Sequence, residues 1–229
     1  MANILIISNG HGEDLSGSLI GKILLDMGHS VDAFPIVGKG NSYKKNKINR
    51  IGGKKEFSTG GMGYTSILGR SIEIFQGQLF YLINSWIQIY KRSKKYDLVL
   101  GVGDIVPVLA AWFTNKPSVI YLVAYSSHYE GSLRLPWPCR NILSRKNIKA
   151  IYTRDQLSAD DLTFQLGRKV QFIGNPFMDA VFSAKNLTTD EKLNICLLPG
   201  SRRPELDRNL YLMINILDHI PSEFIYDMN

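Results

Sequence analysis

The chain has 229 residues, 45% of them hydrophobic, and a formal net charge of +7, with a pI near 9.3. That length suits one large domain, or one domain with part of another, and the apolar content is that of a globular protein with a real core. The charge favours anionic partners of several kinds. The composition also leaves no run approaching the roughly 18 apolar residues of a membrane-spanning helix.

The opening MANILIISNG lacks a basic n-region and reaches a polar turn after four apolar residues, so it does not read as a signal peptide. The two cysteines, Cys139 and Cys196, lie far apart and in no metal-ligand spacing. A reduced, cytoplasmic protein without a metal site is the expectation.

Residues 3–8, NILIIS, form a short apolar run typical of a strand buried on both faces. A helix follows with Leu15, Leu19, Ile23 and Met27 at spacing four and Ile20 and Leu24 beside them. Glu13 and Asp14 stand near its start, where acids suit the helix dipole, and Gly28 ends it. SVDAFPIVG (30–38) is a second strand. Residues 39–55 hold seven Lys or Arg and no acid, and read as a basic loop.

A long helix carrying Phe75, Leu79, Phe80, Ile83, Trp86, Ile87 and Tyr90 along one side ends in KRSKK. Such a stripe belongs to a core by default, while its aromatic content also suits a lipid surface. Further strands are expected at 96–104, 117–125, 149–155 and 168–174, with a helix over 156–167 between the last two. RLPWPCR (134–140) fits either an exposed amphipathic loop or an internally packed tryptophan. Strands regularly separated by helices predict a doubly wound, Rossmann-like parallel α/β sheet, with ligands at the carboxyl ends of its strands.

Residues 184–192, AKNLTTDEK, read as a linker. They separate an N-terminal domain, 1–183, from a second βα unit, 193–229, in which NICLL is a strand, PGSRRPE a turn and 206–220 a helix. One strand, one helix and a stub cannot bury a core of their own, so this second Rossmann-like domain is expected to be incomplete.

Three clusters carry chemistry. In SNGHGED (8–14), Gly10 and Gly12 suit a close approach of ligand to backbone, His11 suits acid–base work and Glu13 suits a hydroxyl. The same residues also make a tight βα turn with a capping acid. Asp104 follows Gly101 and Gly103 at a strand end; it is placed either as a base or as the N-cap of the next helix. In PGSRRPE, Gly200, Ser201 and Arg202 suit a diphosphate at a strand-to-helix turn, or simply a capped helix with solvated arginines.

Six of these segments, in order, resemble the lipid-A-disaccharide synthase family, most closely its cyanobacterial-type related branch. They are SNGHGED, PIVGKG, GGMGYTSILGR (60–70), YDLVLGVGD, FIGNPFMDAV (172–181) and LLPGSRRPE. The resemblance implies a GT-B fold, two Rossmann-like domains facing a cleft, and inverting transfer of a sugar from a UDP-sugar to a lipid-linked or phosphorylated sugar acceptor. It implies catalytic roles for Asp104 and His11, an acceptor side formed by Asn9, Gly10, Gly12 and Glu13, and a donor diphosphate held by Gly200, Ser201 and Arg202. No cofactor is implied beyond the UDP-sugar substrate. GDIVPV departs from the family by lacking its Asp-x-Pro-Asp spacing. Family members also run well beyond 229 residues, so a shortened or split member is the expectation. A cytoplasmic protein touching the inner face of an anionic membrane fits the basic loop and aromatic helix.

Two other readings keep the fold: a UDP-sugar 2-epimerase-like enzyme, and a non-catalytic acceptor-domain fragment working with a separate C-terminal half. Nucleic-acid binding rests on net charge alone, with no recognisable module, and is not expected.

Overall fold

Seven parallel strands lie in the order β3-β2-β1-β4-β5-β6-β7. They are β1 (Asn3–Ser8), β2 (Ser30–Pro35), β3 (Asn49–Arg50), β4 (Leu98–Val102), β5 (Ser118–Leu122), β6 (Ile148–Thr153) and β7 (Gln171–Phe172). The computed structural model describes residues 1–52, 78–182, 197–200, 205–217 and 219. The chain divides into two units, Met1–Val181 and Phe182–Asn229. The sheet belongs wholly to the first, and the expected linker at 184–192 lies outside the described residues.

Strand alternation sets the two faces of the sheet. Leu5 and Ile7 of β1 join Phe34, Val99, Ile120 and Leu122 in one core. Ile4 and Ile6 join Val31, Ala33, Leu100, Val102 and Tyr121 in the other. Both faces are covered, which is why β1 reads as an unbroken apolar run.

The helices are α1 (His11–Asp26), α2 (Asn41–Lys45), α3 (Gln78–Ser93), α4 (Ile105–Phe113), α5 (Ser127–Glu130), α6 (Cys139–Leu143), α7 (Gln156–Leu166) and α8 (Pro176–Phe182). The second unit contributes α9 (Glu205–Leu217).

Helix α1 departs in part from the expected packing. Ile20 and Leu24 pack against the core, but Leu15, Ile23 and Met27 are exposed, while Ser16, Gly17, Ser18 and Gly21 are buried. The helix meets the sheet and α2 through this small-residue face, which lets it come close; a Cβ on Gly21 would stand 2.6 Å from Ile48 Cδ1 and 2.8 Å from Ile6 Cδ1. Spacing four alone cannot tell which of two stripes points inward.

The reading of 39–55 as a plain loop also needs correction. Its described part contains α2, whose Tyr43 is fully buried, and the edge strand β3. Strand β3 pairs with β2 through Asp32↔Asn49 and Ala33↔Arg50, and Asn49 Nδ2 donates to Asp32 Oδ1 at 2.9 Å.

The aromatic stripe of α3 divides. Trp86 packs against the core, while Phe80, Ile83, Ile87 and Tyr90 are exposed and Ser85 and Ile89 are buried. Phe75 and the Leu79 side chain lie outside the described residues. RLPWPCR divides, with Trp137 exposed and Cys139 fully buried. The apolar side chains of α9 are largely exposed, including Tyr211, Leu212 and Ile216.

The outward stripe of α1 gives a direct test. Replacing Ile23 by Ser is expected to move the urea midpoint by no more than about 0.5 kcal/mol equivalent. Replacing fully buried Ile6 by Ala should cost about 2–5 kcal/mol. A large loss from Ile23→Ser would return the stripe to the core.

Candidate functional site at the β1–β4 crevice

The order 3-2-1-4 places a topological switch between β1 and β4, because the chain winds outward from β1 in one direction and from β4 in the other. Ser8 at the end of β1 stands opposite Val102 at the end of β4. Beyond them, the segment starting at Asn9 faces Gly103 and Asp104.

These two turns are tied together by side chains. Glu13, in the first turn of α1, reaches back so that its Oε2 accepts from the Asn9 backbone N–H at 2.7 Å. The backbone of Asp104 also acts on this carboxyl, more weakly than that of Asn9. Asn9 Nδ2 lies 3.4–3.5 Å from the Asp104 carboxylate. Gly103 lies against Glu13 at φ +136°, where a Cβ would collide with the Glu13 carboxyl. Here both the conformation and the lack of space require glycine.

Asp104 has two relationships at once. Its Oδ1 accepts from the Val106 N–H at 2.8 Å, making it the N-cap of α4, and its carboxylate faces Asn9. Both are buried, and among the described residues Asn9 Oδ1 has no hydrogen-bond partner. An acceptor left without a donor in a buried position suits a hydroxyl brought by a ligand.

A second chain of contacts lies behind the first. Tyr43 OH donates to Ser8 Oγ at 2.8 Å, and Ser8 Oγ donates to Asp14 Oδ1 at 2.6 Å. Tyr43 and Asp14 are both buried.

The acids therefore do more than face a helix dipole. Burial first, then the nearby Asp104 charge, holds Glu13 well above the usual carboxylate range. Burial raises Asp104 too, against the opposing bonds from Val106 and Asn9. Both shifts favour the protonated forms, and Glu13 is displaced the further of the two. Burial pushes Asp14 up to about 7, against the Ser8 bond and the Arg50 charge. Cys139 is pushed up to about 12, chiefly by burial and then by Asp104, and stays a neutral thiol.

The other expected residues are placed as follows. Gly10 has an extended backbone, φ 168°, open to any residue, and accepts from the Asp14 N–H at 2.7 Å. Gly12 is exposed with open space around its Cα. His11 begins α1. The structure thus brings Asn9, Glu13 and Asp104 into contact. In the second unit, Gly200 has φ +98°, which favours glycine, and Pro199 O before it accepts from Asn209 Nδ2 at 3.1 Å. Ser201, Arg202 and GGMGYTSILGR lie outside the described residues.

Sequence reasoning missed Ser8 and Tyr43. It also placed Asp14 only by the helix dipole. A serine ending a buried apolar strand is the one available signal for Ser8; Tyr43 sits among lysines and gives none. The FIGNP turn is pinned by Tyr121 OH donating to Gly174 O at 2.9 Å, and Asn175 Oδ1 accepts from the Phe177 N–H at 3.2 Å. Among the described residues, no group of three or more His, Cys, Asp or Glu side chains is gathered to hold a metal ion.

Comparison with known proteins places the fold. No family model and no curated protein matches the sequence. Among solved structures, the chain is similar to Anabaena HepE in complex with UDP and glucose: 16% identity, TM-score 0.54, covering 99% of this chain and 60% of that one. It is similar to the UDP-GlcNAc 2-epimerase from Methanocaldococcus jannaschii at 12% identity and TM-score 0.54, covering 99% and 72%. It is similar to S. aureus MnaA bound to UDP at 14% identity and TM-score 0.52, covering 81% and 47%. The fold is a Rossmann-like α/β fold of the GT-B type. The chain spans about half the length of several structures it matches.

Two outcomes follow from the site. Between the ordinary carboxyl value of 3.8 and the folded value of about 7, folded Asp14 keeps a proton that the unfolded chain has released. This group therefore weakens folding as pH rises through that window. Asp14→Asn keeps an acceptor for Ser8 and should raise stability at pH 8 by about 1–3 kcal/mol, with a flatter pH slope in urea titrations; an unchanged slope would refute the assignment. Gly103→Ala should cost about 1–3 kcal/mol in the same titration.

Proposed function

We propose that the chain provides the acceptor side of a UDP-sugar-dependent glycosyltransferase of GT-B architecture, related to the lipid-A-disaccharide synthases. The observation that carries this is the Asn9–Glu13–Asp104 contact at the β1–β4 switch. In α/β sheets of this kind, ligands bind in the crevice at the switch point.

In this reading the acceptor sugar enters above Asn9, whose unpartnered Oδ1 takes a hydroxyl hydrogen. Asp104 accepts the proton of the attacking hydroxyl, and its raised pKa makes it a better base. Glu13, whose burial favours its protonated form, holds the Asn9 turn beside Asp104. The hydroxyl oxygen forms the new bond to the anomeric carbon as the bond to the UDP oxygen breaks. His11, Gly10 and Gly12 border the same opening in sequence. Gly200, Ser201 and Arg202 are assigned to the donor diphosphate, where an arginine and backbone N–H groups offset charge on the departing UDP. The ordered motifs from SNGHGED to LLPGSRRPE support the family; UDP in two of the solved neighbours supports the donor class.

A membrane-borne acceptor is supported by the outer face of α3 and α4. Phe80, Ile83, Ile87, Tyr90, Trp112 and Phe113 are exposed there, and Phe113 lies 5.5 Å from Tyr90 between ring centroids. No acid occurs from 78 to 96 or from 105 to 129, while Lys91, Lys94 and Lys116 do. Aromatic side chains rimmed by lysines suit an anionic bilayer surface. Among the described residues no helix is long and apolar enough to cross a membrane.

A 2-epimerase is the second reading, favoured by the two solved neighbours with that fold and scale of similarity. The deciding assay follows UDP release from UDP-N-acetylglucosamine by the protein with and without a sugar 1-phosphate acceptor. Acceptor-dependent release, lowered at least about 100-fold in Asp104→Asn, is expected. Conversion of the UDP-sugar to its 2-epimer without acceptor would establish the second reading instead.

A further inference from the structure

Helix α3 has another face, turned towards the ends of β2 and β3. There a cavity of about 550 Å³ is lined by Phe34, Arg50, Ile51, Tyr81, Gln88 and Arg92, with Ser85 and Gly52 completing the wall. Its volume is that of a small-molecule site.

The lining has two cations and no acid. Among the described residues, neither guanidinium lies within salt-bridge distance of a carboxylate. Each is nonetheless oriented: Arg50 Nη1 donates to Lys39 O, and Arg92 Nη1 donates to Ile51 O. These bonds anchor one corner of each planar fork and leave Nη2 and Nε of both for a ligand. Two anchored guanidiniums with unspent donors match a tetrahedral dianion better than a neutral sugar. Phe34, Ile51 and Tyr81 offer an apolar wall for what the anion is attached to. Tyr81 is itself fixed, its OH donating to Ile36 O at 2.8 Å.

The cavity is on the functional side of the sheet. Arg50 ends β3, Phe34 is next to last in β2, and the Arg50 charge reaches Asp14 behind the β1 turn.

We propose that this cavity is a phosphomonoester site, in which Arg50 and Arg92 grip the phosphate of a sugar phosphate and Gln88 supplies a further amide donor. It rests on the glycosyltransferase reading only for the claim that this sugar is the acceptor; the anion site stands on its own geometry.

The test is calorimetry on the full chain with inorganic phosphate, N-acetylglucosamine 1-phosphate and neutral N-acetylglucosamine. The sugar phosphate should bind at least about tenfold more tightly than the neutral sugar. Arg50→Gln and Arg92→Gln should each weaken it by about tenfold. Arg140→Gln, whose side chain donates to Gln165 O at 2.6 Å away from this cavity, should leave it unchanged. Because Arg92→Gln also removes a bond to Ile51 O, Gln88→Trp serves as a second variant; it keeps both arginines, fills the cavity and should block binding. Equal binding of the neutral sugar, or equal losses in Arg140→Gln, would overturn the site. Sedimentation with phosphatidylglycerol vesicles separates a lipid headgroup from a sugar phosphate. Arg50→Gln and Arg92→Gln should sediment like the parent, and loss of vesicle binding with intact sugar-phosphate binding would also overturn it. Sugar-phosphate binding without UDP release would leave the anion site standing and remove the transferase reading.

Discussion

The mouth of this sheet depends on a buried carboxyl group whose surroundings favour its uncharged form. Glu13 takes the backbone N–H of Asn9 and lies against Gly103, and so joins the turn after β1 to the turn after β4. In an ordinary βα turn such N–H groups face solvent or a bound anion. Here an internal carboxyl takes the Asn9 N–H, and its burial and the nearby Asp104 charge both favour its protonated form. Gly103 follows from this arrangement, since no side chain fits between that turn and Glu13.

The same geometry separates the work of neighbouring groups. Helix α3 turns Tyr81, Gln88 and Arg92 to a cavity that also holds Arg50, and Phe80, Ile83, Ile87 and Tyr90 outward. One amphipathic helix thus carries a cationic face at the sheet edge and a separate exposed apolar face. Under the proposed function, an acceptor with a phosphate and lipid chains would use both. The basic residues that looked like one loop are in fact divided, with Arg50 at a strand end and Lys44 and Lys45 on α2.

The parallel sheet was legible because strands buried on both faces leave unbroken apolar runs, and NILIIS and DLVLGV are such runs. The β1–β4 crevice was legible for the same reason: chain order and strand count place Asn9 and Asp104 at one edge. What stayed hidden was pairing without periodicity. Strand β3 contributes two ladder residues, too few for an alternation. The inward face of α1 combines Ser and Gly, which hydrophobicity patterns pass over, with Ile20 and Leu24, so only Leu15, Ile23 and Met27 of the apolar pattern misled. Asp104 showed both of its readings, cap and candidate base, and the structure holds the cap while leaving the carboxylate beside Asn9. Tyr43 could not be assigned from its lysine-rich surroundings, although it is fully buried and bonds the end of β1.

The central claim is that the β1–β4 crevice receives a sugar acceptor. Amide chemical shifts of the 15N-labelled chain, titrated with N-acetylglucosamine 1-phosphate, test it most directly. The account predicts the largest saturable shifts at Asn9, Gly10, Gly12 and Asp104, together with Arg50 and Ile51 at the cavity. Shifts confined to other surfaces, with Asn9 and Asp104 unmoved at saturation, would contradict it.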